Sequence, residues 1–186
     1  MLKNFAKILL TLAVFGLFAS FVACTDEPQP SNHSVFANEK QKKDSLENLN
    51  KYLVSKEKEA IQEYIGRKQL NFVETGTGLC YHIIKHGDEE PVKTGNIVVL
   101  DYQVRLLDDT VIYYPDENGY KIFVVGHGGV ESGLEEAVLH LHRGDEAEII
   151  IPSHLAYGLL GDGDKIPPRT PIVYYVKIID NQTNRQ

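Results

Sequence analysis

Few residues in this chain of 186 stand at spacings that suit metal or covalent chemistry. His140-Leu141-His142 sets two imidazoles two residues apart. In a strand both would face the same way and could share a metal ion. No cysteine or carboxylate nearby completes a zinc set, so the pair reads as surface histidines. Gly161-Asp162-Gly163-Asp164 has the glycine and aspartate pattern of a calcium loop, but the bidentate glutamate such a loop needs further along is missing. It reads instead as a turn. No Ser-His-Asp set, phosphate-cradling loop or dinucleotide fingerprint is present. No metal and no cofactor is expected. The abundant groups are aromatic: ten Tyr and seven Phe, with no Trp.

The elements that must position these rings follow from periodicity. Residues 40–70 form a charged helical stretch. Asp44 suits an N-cap with Glu47 three residues later, and Leu46, Leu49, Leu53, Ala60, Ile61, Tyr64 and Ile65 recur at helical spacing. One helix or two, a spacer or a face that pairs two chains, all fit that pattern. From Asn71 the period changes to two. Strands are predicted at Cys80–Lys85, Asn96–Leu107, Val111–Tyr114, Tyr120–Val125, Glu146–Ile151 and Pro171–Ile179, with one short helix at Val130–His140. Short turns such as Gly87-Asp88 and Asp116-Glu117-Asn118-Gly119 join them. Strands linked by short turns, with one helix to cover the apolar face, make an α+β fold built on an antiparallel sheet. Cys80, in an alternating strand, reads as a small buried apolar residue.

The net charge of −7 carries no basic excess, which argues against a nucleic-acid partner. The first 23 residues read as an export signal: Lys3 and Lys7, then an apolar run from Ile8 to Ala23 that is short for a membrane span. Phe21-Val22-Ala23-Cys24 resembles a lipobox, which would make Cys24 the lipidated residue; an ordinary cleaved signal or a short anchor are the alternatives. Residues 24–39 are polar and Pro-containing and read as a flexible tether. Asp26-Glu27 is either a surface-export signal or simply solvated chain. The remaining boundaries are a helical arm over 40–70 and a sheet-bearing domain over 71–182.

Four strings carry a resemblance. Gly95-Asn96-Ile97-Val98-Val99-Leu100-Asp101-Tyr102 comes first. Phe123-Val124-Val125-Gly126 follows, leading to Val130-Glu131-Ser132-Gly133-Leu134-Glu135-Glu136-Ala137. Then come Ile151-Pro152-Ser153-His154-Leu155-Ala156-Tyr157-Gly158 and Ile166-Pro167-Pro168-Arg169-Thr170-Pro171-Ile172-Val173-Tyr174. Their order and spacing from about residue 78 to 180 resemble the FKBP-type peptidyl-prolyl cis-trans isomerases. The leader and helical arm make the chain look most like the gliding-motility-associated FKBP-type lipoproteins of Bacteroidetes.

The resemblance implies a twisted antiparallel sheet wrapped around one short helix, with a prolyl pocket between them. Tyr102, Phe123, Val130, Glu131, Leu134, Tyr157, Ile166 and Tyr174 would line or border it. Leu134 would be the floor, where many relatives have Trp. The Val130-Glu131 backbone and the Tyr157 hydroxyl would bind peptide carbonyls. Tyr113 falls where the family has an aspartate, so a carboxylate is lost there; Asp116 comes three positions late. Lys121 falls where a Phe is common, and Tyr120 is a candidate to compensate. Amide rotation meets a barrier of ~18–20 kcal/mol and takes tens to hundreds of seconds uncatalysed at X–Pro bonds. A dry aromatic pocket that prefers the twisted, less polar amide lowers that barrier by differential binding.

The function this implies is isomerisation of X–Pro bonds in exported proteins. The partners would be proline-containing polypeptides, a membrane through a lipid anchor, and a second copy through the helical arm. The location would be the cell envelope, as an outer-membrane lipoprotein facing periplasm or surface. A non-catalytic binding module, or an assembly factor for a surface or gliding machinery, is the competing reading.

Overall fold

The structure, a computed structural model, describes residues 32–87, 90–114 and 119–179, with side chains from residue 38 onward. The signal, Cys24, the start of the tether, Asp116 and residues 180–182 lie outside the described residues. The chain divides into two compact units, residues 1–48 and 49–186.

Helix α1 runs Asn32–Lys68 as one element. It therefore begins before residue 40, within the stretch read as tether, and Asp44 lies inside it rather than capping it. The sequence from Glu39 to Glu47 is rich in Lys, Glu and Gln, which propagate a helix without any apolar stripe. The stripe itself is only partly used: Leu46 and Leu49 are exposed, whereas Ile61 and Tyr64 are buried. The helix stops at Gln69, whose φ of 53° leaves the helical region. Arg67 and Lys68 pin that end, donating to the Leu107 carbonyl and the Asp109 carboxylate, each at 2.6 Å. Among the described residues no helix is long and apolar enough to cross a membrane.

The sheet consists of β1 (Val73–Glu74), β2 (Cys80–Lys85), β3 (Ile97–Arg105), β4 (Val111–Tyr113), β5 (Lys121–Val124), β6 (Glu146–Ile151) and β7 (Ile172–Ile179). Its order is β1-β2-β6-β7-β3-β4, and every pairing is antiparallel. β5 shares the free side of β3 with β4. It pairs Ile97–Leu100, while β4 pairs Val104 and Arg105.

Side-chain alternation sorts the two faces. Leu100, Tyr102, Val104, Phe123, Ile149, Ile151, Ile172, Tyr174 and Val176 point inward. Helix α2 (Ser132–Val138) lies against them through Leu134, Ala137 and Val138, at helical spacing i, i+3, i+4. It packs closely because position 133 is glycine: a Cβ there would stand 2.3 Å from Ile151 Cγ2. The outer face offers Cys80, Ile150 and Val173 to Ile61 and Tyr64 of α1. Burial pushes the Cys80 thiol up to about 11, so it behaves as an inert apolar group, as its strand position suggests. The fold is thus α+β, an antiparallel sheet folded over one short helix and preceded by a longer one.

Candidate functional site

The residues singled out from the sequence come from four strands, one helix and two loops, and the fold brings them together. Tyr102, Phe123, Leu134, Ile166 and Tyr174 share one buried cluster, with Tyr113, Val130 and Tyr157 packed against it. Leu134 is fully buried, at the base of the group. The Tyr102 and Tyr174 rings stand 5.9 Å apart at 38°, a tilted pair of the kind aromatic quadrupoles favour.

Glu131, singled out for its backbone, joins this cluster through its side chain. Its backbone starts α2: the carbonyl accepts from the N–H groups of Leu134 and Glu135. Its carboxylate makes no capping bond to the helix and turns into the cluster instead. There Oε1 accepts from the Tyr157 hydroxyl and, at 2.9 Å, from the Tyr174 hydroxyl. Lys121 Nζ approaches the same carboxylate at 3.3 Å and donates to Tyr174 Oη at 3.0 Å. Burial alone would raise the Glu131 carboxyl. The Lys121 charge and the tyrosine hydroxyls outweigh that and hold it below the usual carboxylate range. Burial, with Glu131 beside them, pushes Tyr157 and Tyr174 well above an ordinary phenol. Glu131 is therefore a carboxylate, and Tyr157 and Tyr174 are neutral phenols, at neutral pH.

Two contacts add to what the sequence implied for the rim. The Tyr157 hydroxyl, expected to bind a peptide carbonyl, donates to Glu131. No carboxylate stands at position 113, but Asp162 brings one beside it. The Tyr113 hydroxyl donates to Asp162 Oδ2. The other oxygen of Asp162 accepts from the N–H groups of Asp164 and Ile166. The Gly161–Asp164 segment is thus a turn braced by its own aspartate beside the site. Burial and the Asp162 bond push the Tyr113 phenol up to about 12. Gly161 makes the turn possible, because at its φ of +71° a Cβ would fall 2.1 Å from the Ile166 carbonyl. Lys121, where an aromatic was expected, fills the space with an ammonium. Tyr120 does not compensate, since it is exposed. The two histidines go separate ways: His140 stacks on Tyr81 at 5.0 Å, and His142 faces Asp145.

A cavity of about 580 Å³ lies away from this cluster, between α1, Thr75–Gly78 and the segments around Ser153 and Leu159. None of the singled-out residues lines it. Its polar groups are largely paired among themselves: Glu57 accepts from Ser153, Lys58 bonds Glu74, and Arg169 bonds Asn50. The aromatic cluster, where titratable groups meet apolar walls, is the better candidate for chemistry.

Comparison with known proteins identifies a family. Residues 88–179 match a family model described as FKBP-type peptidyl-prolyl cis-trans isomerase. The chain is 39% identical over 106 residues to the probable FKBP-type peptidyl-prolyl cis-trans isomerase FkpA of Neisseria meningitidis serogroup B, covering 56% of this chain and 38% of that protein. It is 33% identical over 99 residues to FK506-binding protein 2 of Yarrowia lipolytica, covering 52% of this chain and 69% of that protein. The crystal structure of FkpA from Escherichia coli is similar, with a TM-score of 0.59 and 25% identity, covering 94% of this chain and 81% of that one. The chain spans 38% of the Neisseria relative and 50% of curated Escherichia coli FkpA.

Proposed function

The chain belongs to the FKBP-type peptidyl-prolyl cis-trans isomerase family, and from that premise we propose that it rotates X–Pro bonds of exported polypeptides while a lipid on Cys24 tethers it to the cell envelope. The observation that carries the catalytic reading is the convergence of Tyr102, Phe123 and Tyr174, from three strands, over the buried Leu134. A proline ring seated among these walls leaves water, and its amide loses the solvent that stabilises the planar, charge-separated form. Ile166 and Val130 close the sides, and Tyr113 and Tyr157 supply hydroxyls at the rim. The fixed hydrogen bonds of Glu131 hold Tyr157 and Tyr174 in place before a peptide arrives, which reduces what binding must order.

The lipid tether, the outer-membrane location and an exported client rest on the first 24 residues: two lysines, an apolar run and a terminal cysteine. The resemblance of the leader and helical arm to gliding-motility lipoproteins supports the competing reading, an assembly role in a surface machinery. A second copy pairing through α1 belongs to the tethered-isomerase reading, supported by the exposed Leu49, Tyr52 and Val54.

One observation favours a second reading, a binding module with little turnover: Lys121 and the Tyr157 hydroxyl are both engaged with Glu131 where a substrate would be held. A prolyl-peptide isomerisation assay separates the two. Wild-type protein accelerates the slow phase, and Tyr157→Ala lowers kcat/KM by about tenfold or more while unfolding at a similar urea concentration. Folded wild-type protein that leaves the slow phase unchanged overturns the isomerase reading in favour of the binding module.

A further inference from the structure

Lys121 opens β5, and its ammonium ends within the aromatic cluster. Nζ stands 5.2 Å from the Tyr102 ring centroid and 5.5 Å from that of Tyr174. Both distances suit a cation held against a ring quadrupole. From there it reaches the Glu131 carboxylate and the Tyr174 hydroxyl. A cation thus lies against two of the rings that a proline would stack upon.

The pair also has a direction. The Lys121 side chain is 21% exposed and that of Glu131 only 6%, so the carboxylate is the more deeply buried partner and the lysine is the one that keeps some contact with solvent. The neighbouring charges do not reverse this. Asp162 is held by the Tyr113 hydroxyl and two backbone N–H groups. Lys165 Nζ lies 5.0 Å from the Tyr113 ring centroid and adds a second cation on that side.

We propose that Lys121 is a specificity-determining residue of the prolyl site, selecting X–Pro segments that carry an acidic side chain next to the proline. This rests on the isomerase reading above. An entering proline ring must move the ammonium off the Tyr102 and Tyr174 rings. The flexible lysine stem, the partly exposed member of the pair, can carry it outward. Leaving Glu131 costs the ammonium its partner in a partly dry site. A carboxylate beside the proline meets the displaced ammonium at the mouth and restores an ion pair. A basic side chain there meets a like charge, and an aliphatic one restores nothing. The selectivity arises from difference in cost as much as from attraction.

The test is a set of peptides that differ only before proline, with Glu, Leu or Lys there, assayed with the full-length chain in neutral detergent. Wild type favours Glu-Pro over Lys-Pro in kcat/KM by about fivefold at low salt, the scale of a partly screened ion pair, and the ratio shrinks at high salt. In Lys121→Met the ratio falls to near one and Leu-Pro turnover rises, because no ammonium has to be displaced. Lys121→Gln, which keeps length and polarity without charge, loses the Glu-Pro preference too and decides the matter if the Met variant does not fold. Equal turnover of the three peptides by wild type, or an acidic preference that survives in the uncharged variants, overturns the proposal and leaves the isomerase reading standing. No acceleration of any peptide by wild type or variants overturns both.

Discussion

Glu131 and Glu148 are both buried carboxylates that accept from tyrosine hydroxyls, yet they sit on opposite faces of one sheet. Glu148, in β6, accepts from Tyr64 of α1 at 2.5 Å, and both residues are almost wholly buried. Helix α1 lies over that pair, joined to it by Ile61, Cys80, Ile150 and Val173. Glu131 accepts from Tyr157 and Tyr174 on the inner face, where Lys121 leads out to water. The same bonding chemistry therefore serves two purposes. Sealed under a helix, it fixes one element against another. Left beside a partly exposed cation, it is available to respond to a ligand. Whether a buried polar group serves fold or function is decided by what covers it.

The sharpest way to break this comparison is Tyr64→Phe. It removes a hydroxyl and leaves the Glu148 carboxylate buried and short of a donor. Such a loss costs about 3 kcal/mol, near the upper end for hydrogen bonds to charged groups. That is a large share of the ~5–15 kcal/mol that holds a typical domain together. Urea unfolding should show the loss, while prolyl-peptide turnover per folded molecule stays at the wild-type level. A fall in turnover with stability intact would mean that the two faces are not independent.

Glu131→Gln probes the other side of the comparison and should cost less, about 1–2 kcal/mol at neutral pH, because Gln still accepts from the tyrosines. The effect depends on pH with a definite sign. The Glu131 carboxyl titrates below its ordinary value of about 4.3 when the protein is folded. The stability it adds is present in full above that ordinary value and is lost as pH falls through the lower folded value. Urea midpoints of wild type and Glu131→Gln should therefore differ at pH 7 and converge as the pH is taken below about 4. Parallel curves down to pH 3 would show that the carboxylate's charge contributes nothing to the fold.

The sequence was informative where local chemistry decides and silent where tertiary contact does. β6 falls at Glu146–Ile151, as alternation predicted, because Ala147, Ile149 and Ile151 must all reach one face. The predicted helix at 130–140 contracts to Ser132–Val138, since Val130 and Glu131 belong to the turn that aims into the site. α1 extends to Asn32 because its charged N-terminal part needs only propensity to be helical, and a search for apolar period passes over it. The leucine spacing at 46 and 49 had no bearing on whether anything covers those residues. In the site, motif order picked out aromatic residues that the fold brings into one cluster. It could not reveal that Glu131 bonds Tyr157 and Tyr174, or that Asp162 bonds Tyr113. Those partners are 26, 43 and 49 residues apart, and only the folded sheet and loops bring them together. Lys121 was the one visible signal: a charge where the resemblance has an aromatic calls for a partner, and Glu131 supplies it.

The smallest effect is expected at the Tyr113–Asp162 bond, which tests whether the rim resembles the sealed pair or the open one. Tyr113 is partly exposed, so water can replace much of what the bond supplies, and Tyr113→Phe should cost only about 0.5–1 kcal/mol. Its signature is spectroscopic. Burial and the Asp162 carboxylate push this phenol up to about 12, against about 10 when unfolded. The folded state thus prefers the neutral phenol. The stability this adds is complete below pH 10 and fades as pH rises towards 12. In an ultraviolet titration of the folded protein, Tyr113→Phe should remove one late-titrating tyrosine and leave the earlier ones in place. If it removes one that titrates near 10 instead, the hydroxyl is free in solution and the Gly161–Asp164 turn is held by its backbone bonds alone.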